Sequence, residues 1–299
     1  MNIDDLNDKF AIEGEIGFAE LEGDLVFAMI ANKYADANIS LYGAQITDFR
    51  PVGTMDILWM SPLSKFEEGN AIRGGIPVCF PWFGPHEMDG TMPQHGFARL
   101  MYWEVAETGS TETGESMIRL QIHSSDETQK YWPHDFCAEI IYIIGTSLSV
   151  TLKITNTSSE PLEYTSALHS YFSLSSIENI TIEGLENTHY QNQLDGRDYI
   201  QETPLLKITE AVTHHYYNTE SSCIINDPVF NRKIRIDKTG SKNTTVWNPW
   251  VEASEEMTDM PDDGYLTFIC LETVNKINDV IRLNPGEKHE TSAVISIAH

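Results

Sequence analysis

Positive charge is scarce in this chain: its 299 residues carry 19 Lys and Arg against 45 Asp and Glu, a formal net charge of −26. Such a field repels nucleic acid and anionic membrane surfaces, so neither is expected as a partner. Cysteine is also sparse. Cys79, Cys137, Cys223 and Cys270 are widely spaced and form no CxxC or metal-ligand motif, which predicts reduced thiols and no bound metal. Apolar runs such as Leu25 to Ala31 fall far short of the roughly 20 residues that span a bilayer. The opening Met-Asn-Ile-Asp-Asp-Leu-Asn-Asp is acidic where a secretory leader would be basic, so a soluble, cytoplasmic protein is expected. No linker, repeat or low-complexity tract divides the chain, and residues 1–299 are expected to form one domain.

Period-two alternation is what the sequence does contain. Ile118, Leu120 and Ile122 alternate with Arg119, Gln121 and His123, and Leu148, Val150, Leu152 and Ile154 alternate with Ser149, Thr151 and Lys153. Ile234 and Ile236, and Ala293, Ile295 and Ile297, repeat the pattern, so each run predicts a strand with one wet face. Turn chemistry separates apolar segments at Gly145-Thr146-Ser147, Asp195-Gly196, Pro261 to Gly264 and Asn284 to Glu287. Many short strands joined by turns predict antiparallel sheets packed face to face, an all-β architecture.

Chemistry concentrates in a few segments. Between Ile72 and His86, glycines and prolines crowd around Arg73 and the aromatics Phe80, Trp82 and Phe83, which implies a loop of fixed shape. Shortly after it, Gln94, His95 and Arg99 offer an amide, an imidazole and a second guanidinium. Guanidinium groups hold phosphate bidentately while amides and imidazoles bond sugar hydroxyls, so the set suits a polyhydroxylated anion. With acids so abundant, ordinary loop-to-acid ion pairs explain the two arginines equally well. His169 and Glu272 each stand inside an apolar, strand-like run, where a polar group is costly unless it has a partner. His214 and His215 do not suggest a metal site, because adjacent strand residues point to opposite faces.

Five ordered segments resemble the glucose-6-phosphate 1-epimerases, also called hexose-6-phosphate mutarotases, of the aldose 1-epimerase superfamily. They are Arg-Gly-Gly-Ile-Pro at 73–77, Gln-His-Gly-Phe-Ala-Arg at 94–99, Leu-His-Ser-Tyr-Phe at 168–172, Val-Trp-Asn-Pro-Trp at 246–250 and Cys-Leu-Glu at 270–272. The resemblance implies a galactose mutarotase-like β-supersandwich and interconversion of the α and β anomers of a hexose 6-phosphate, with no cofactor and no metal. It makes His169 the general acid and Glu272 the general base, and it places Arg73, Gln94, His95 and Arg99 against the phosphosugar. A carboxylate beside His169 is expected to keep that imidazole charged near neutral pH. Where the family often carries an aspartate this chain has Thr213, removing one expected contact to a sugar hydroxyl. A mutarotase of free aldoses and a non-catalytic carbohydrate-binding protein are the alternatives on the same fold, and the pairing of His169 with Glu272 speaks against the second. A monomer is expected.

Overall fold

The computed structural model describes residues 2–298. Two eight-stranded antiparallel sheets dominate, joined by a four-stranded sheet built from Ile16 to Pro51 and a two-stranded ribbon of Leu162–Tyr164 with Ile281–Leu283. The alternation seen in sequence becomes the strands Ser116–His123, Ser147–Asn156, Arg232–Thr239 and Lys288–Ala298, which are members of one of the large sheets. Leu148, Val150, Leu152 and Ile154 are all buried while every residue between them is partly exposed. That follows from a side-chain period of two along a strand that has one face on the core.

The predicted turns sit between these strands. Gly145 N–H donates to Ser147 at 2.9 Å in one hairpin, and Glu287 N–H donates to Asn284 at 2.9 Å ahead of the last strand. Two helices escape a strand-based reading, because each is too short to show a sustained 3.6-residue stripe. Ile3–Phe10 is capped by Asn2, whose side chain accepts from Asp4 N–H, and Trp250–Glu256 starts where Asn248 Oδ1 accepts from Trp250 N–H. Among the described residues no helix is long and apolar enough to cross a membrane.

The second large sheet carries the Phe268–Asn275 strand, all eight of whose residues are buried. On one side it pairs with Asn243–Asn248, itself paired with Val212–Tyr217. On the other it pairs with both Ser166–Leu168 and Tyr171–Ser173. Val246 and Leu271 point from this sheet into the buried cluster that holds Ile118, Leu120, Val150 and Leu152 of the other large sheet. Their strand neighbours must therefore face away from that core, and this opposite face carries the polar groups described next.

Candidate active site

Register puts the histidine and the glutamate together. Leu168 pairs with Thr273 and Tyr171 pairs with Cys270, so the two-residue break at His169 and Ser170 lies opposite Leu271 and Glu272. The break is held by Ser170 N–H donating to Leu168 at 3.0 Å, His169 N–H to Pro77 at 3.1 Å and Leu271 N–H to Ser170 at 3.2 Å. Such irregularities re-aim a side chain without ending a sheet. His169 Nε2 consequently lies 3.6 Å from Glu272 Oε1. Both residues are buried, and His169 Nδ1 and Glu272 Oε2 have no hydrogen-bond partner among the described residues.

They line a cleft of about 510 Å³, together with Arg73, Gln94, His95 and Arg99. All six residues singled out from sequence are thus brought to one place. Arg73 is positioned by a backbone that only glycine can continue. A Cβ on Gly75, at φ +59°, would stand 2.1 Å from the Ile46 carbonyl oxygen. Gly96 is under the same constraint, at φ +75° and 2.0 Å from the Phe80 oxygen.

The arginines divide in character. Arg73 makes the loop-to-acid ion pair that abundant acids suggested: its Nη2 lies 3.0 Å from Asp259 Oδ2, and its Nη1 donates to the Tyr171 hydroxyl at 3.0 Å. Among the described residues Arg99 has no acid within ion-pair distance and its Nε is buried without a partner, while one Nη donates to the Gln94 carbonyl at 2.7 Å. The His95 ring is fixed by Gly84 N–H donating to its Nδ1 at 3.1 Å, which leaves Nε2 as the protonated, donating nitrogen of the neutral ring.

Period-two geometry across three paired strands adds further groups. Thr245 pairs with both Glu272 and His215, and Trp247 pairs with both Cys270 and Thr213. His215 is held by Thr245 Oγ1 at 2.7 Å and Gln193 Oε1 at 2.8 Å, and His214 instead stacks on Tyr190 at 4.2 Å. Thr213 also lines the cleft. Phe83 and Trp247 line the cleft, whereas Trp82 packs into the core and Trp250 against Tyr265.

Sequence reasoning missed Lys276, which adds a third cation, with its Nζ 5.2 Å from the Phe83 ring centre. It lies just past the end of the Phe268–Asn275 strand, four positions after Glu272 and outside the motifs read from the sequence. Asp259 lies in a polar loop and gave no signal. In a chain of net charge −26, these three cations create the local positive field that a bound anion requires.

The charge state of the pair departs from expectation. Burial, with Arg99 and Arg73 adding to it, pushes the His169 pKa down to about 3, so the imidazole is neutral at neutral pH. Burial raises Glu272 well above the usual carboxylate range, with Lys276 opposing, so it holds its proton. A distance of 3.6 Å permits an ion pair, yet desolvation inside a cationic cleft favours imidazole with carboxylic acid. The carboxylate is too weak an influence here to keep His169 charged, contrary to the reading from sequence.

Buried His215 and half-buried His95 and His214 make stability fall in acid. His214 and His215 are pushed down to about 4 and His95 well below 6.5, in each case chiefly by burial. The unfolded chain takes up these protons near pH 6.5 and the native state only lower, so their stabilisation is complete above pH 6.5 and is lost towards pH 4. For His215 the loss amounts to about 3 kcal/mol. Glu272, shifted upward, acts in the opposite sense above its unfolded pKa. The melting temperature is expected to drop between pH 7 and pH 4.5, and less steeply in His215→Gln; equal slopes would refute this.

A larger groove of about 1070 Å³ lies elsewhere, around Phe230 and Arg232. Two of its charged groups bond within the chain: Asp227 accepts from Ser175 and from Phe230 N–H, and Arg232 donates to the carbonyls of Asp56 and Ser173.

Residues 26–296 match the family model for aldose 1-epimerase. A Salmonella typhimurium protein named "Putative glucose-6-phosphate 1-epimerase" is 35% identical over 84% of this chain and 83% of its own length. The crystal structure of a "putative mutarotase" from the same species superimposes with a TM-score of 0.89 at 30% identity, covering 97% of this chain and 95% of that one. A galactose mutarotase related enzyme from Lactobacillus acidophilus, 17% identical, shares the fold with a TM-score of 0.73 over 91% of this chain and 97% of its own.

Proposed function

The chain belongs to the aldose 1-epimerase family, and from that premise we propose that it interconverts the α and β anomers of glucose 6-phosphate or a related hexose 6-phosphate, acting as one domain. The observation that carries this reading is a proton donor and a proton acceptor 3.6 Å apart in a cleft lined by Arg73, Arg99 and Lys276. Exchange of anomers requires removing the O1 proton of the hemiacetal and protonating the ring oxygen O5. Both oxygens are bonded to C1, so groups separated by 3.6 Å can each reach one of them.

In the assigned cycle Glu272 takes the O1 proton while His169 donates to O5. After rotation about the C1–C2 bond, the aldehyde closes on its other face with the roles reversed. This requires the pair to move one proton from carboxyl to imidazole, with no change in net charge. The phosphate supplies the bias. Its negative charge beside Arg99 and Arg73 offsets the cations that disfavour a charged His169. Gln94 and His95 supply donors and acceptors for sugar hydroxyls, and Thr213 offers a hydroxyl in place of the carboxylate often found there.

Polarimetry or exchange NMR on pure α-glucose 6-phosphate, beside glucose, galactose 6-phosphate and mannose 6-phosphate, tests the reading. Acceleration confined to phosphosugars is expected. Equal efficiency on glucose would make the protein a mutarotase of free aldoses, and binding without acceleration would make it a carbohydrate-binding protein.

A further inference from the structure

Cys270, fully buried behind His169 and Glu272, offers a third ligating atom beside theirs. It precedes Glu272 by two positions on one strand, so both side chains leave the same face, and ligating atoms of His169, Cys270 and Glu272 all lie within 4.8 Å of one another. No spacing motif announces this set, because register across the sheet brings His169 to the other two. All three residues are buried, and the unpartnered His169 Nδ1 and Glu272 Oε2 show that the fold leaves polar capacity at this point unused. The thiol itself is packed against Trp59, Tyr171 and Phe268.

We propose that His169, Cys270 and Glu272 form a latent site for a thiophilic divalent cation, best matched by Zn²⁺, whose occupancy blocks anomerisation. The inhibitory half of the proposal rests on the acid–base reading above, and the binding half does not. Thiolate, imidazole and carboxylate are the three donor types that Zn²⁺ takes, and an open zinc site has three protein ligands with a fourth position left to water. Here that fourth position faces the cleft. Bond lengths of about 2.0 to 2.3 Å require the three donors to draw together by on the order of 1 Å.

The cations around the site, Arg73, Arg99 and Lys276, oppose a dication, while Asp259 beside Arg73 offsets one of them. Proton displacement removes the conflict. Zn²⁺ takes its ligands as thiolate, neutral imidazole and carboxylate, so its entry displaces the protons that the thiol and carboxyl carry. Thiolate and carboxylate together balance the two positive charges of the ion. The metal then holds the lone pairs that both proton carriers need, so bound cation and catalysis exclude each other.

The test titrates the full-length protein with Cd²⁺, followed by thiolate-to-cadmium charge-transfer absorption in the ultraviolet, and separately measures Zn²⁺ inhibition of glucose 6-phosphate anomerisation. One equivalent of Cd²⁺ is expected to develop the band. Zn²⁺ is expected to suppress turnover, and a chelator to restore it. Cys270→Ala should lose the band, retain metal-free anomerisation and need at least about 10-fold more Zn²⁺ for half-inhibition, whereas Cys79→Ala should behave as the parent. If Cys270→Ala does not fold, Cys270→Ser takes its place. A parent protein that turns over phosphosugar yet shows no band, or a Cys270 variant inhibited like the parent, overturns the proposal. A parent that shows the band but no turnover retains the metal site and overturns the anomerase reading instead.

Discussion

Glu272→Gln is expected to lower enzyme-catalysed anomerisation of glucose 6-phosphate by about 10² to 10⁴-fold and to melt no lower than the parent. The two outcomes share one cause. Glu272 is buried, with one carboxyl oxygen unpartnered and its pKa pushed well up by desolvation. At neutral pH the unfolded chain gains hydration of an ionised carboxylate that the native state forgoes, and a neutral amide of the same shape removes that cost. His169→Asn should lose activity to a similar extent, but at a stability cost of about 1 to 3 kcal/mol. It removes a ring stacked on Tyr171 at 4.9 Å and packed edge-on against Phe83 and Trp247. Polarimetry against the spontaneous rate, paired with thermal unfolding, measures both effects. Near-parent activity in either variant would remove the assignment.

Arg99→Ala is expected to cut the preference for glucose 6-phosphate over glucose, taken as the ratio of kcat/KM values, by about 30- to 4000-fold. Truncating one partner of a buried, hydrogen-bonded charge pair costs about 2 to 5 kcal/mol. Arg99 is the clearer probe of phosphate binding because, among the described residues, it has no ion pair like that of Arg73 with Asp259. Arg73→Ala also leaves Asp259 without its partner and so mixes specificity with stability; comparing it with Arg73→Ala/Asp259→Ala separates the two. Lys276→Met should have a smaller effect, about 10-fold, since it removes one charged hydrogen bond. Turnover of glucose itself should change little in Arg99→Ala. A parallel loss on both sugars would mean that Arg99 supports the pocket and not the phosphate.

How much of this was legible in sequence can be followed residue by residue. The strand at 147–156 was readable because alternation is local: whatever covers the strand, every second side chain faces the same way. His169, Glu272, Arg73, Gln94, His95 and Arg99 were readable because their chemical types recur in ordered motifs, and all six line one cleft. The short helices were not readable, since eight and seven residues hold too few turns to establish a period.

By itself the sequence determined which groups are available: a β-sheet pattern, an imidazole and a carboxyl in apolar runs, and guanidinium groups in glycine-rich loops. Tertiary structure decided what state those groups are in. It placed the break at 169–170 opposite Glu272, matched Arg73 with Asp259 while giving Arg99 no ion pair among the described residues, and brought Lys276 to the same cleft and Cys270 up against His169 and Glu272. Proton affinity depends on desolvation and on charges a few ångströms away. In this fold those charges come from segments up to about two hundred residues apart, where no local pattern can register them.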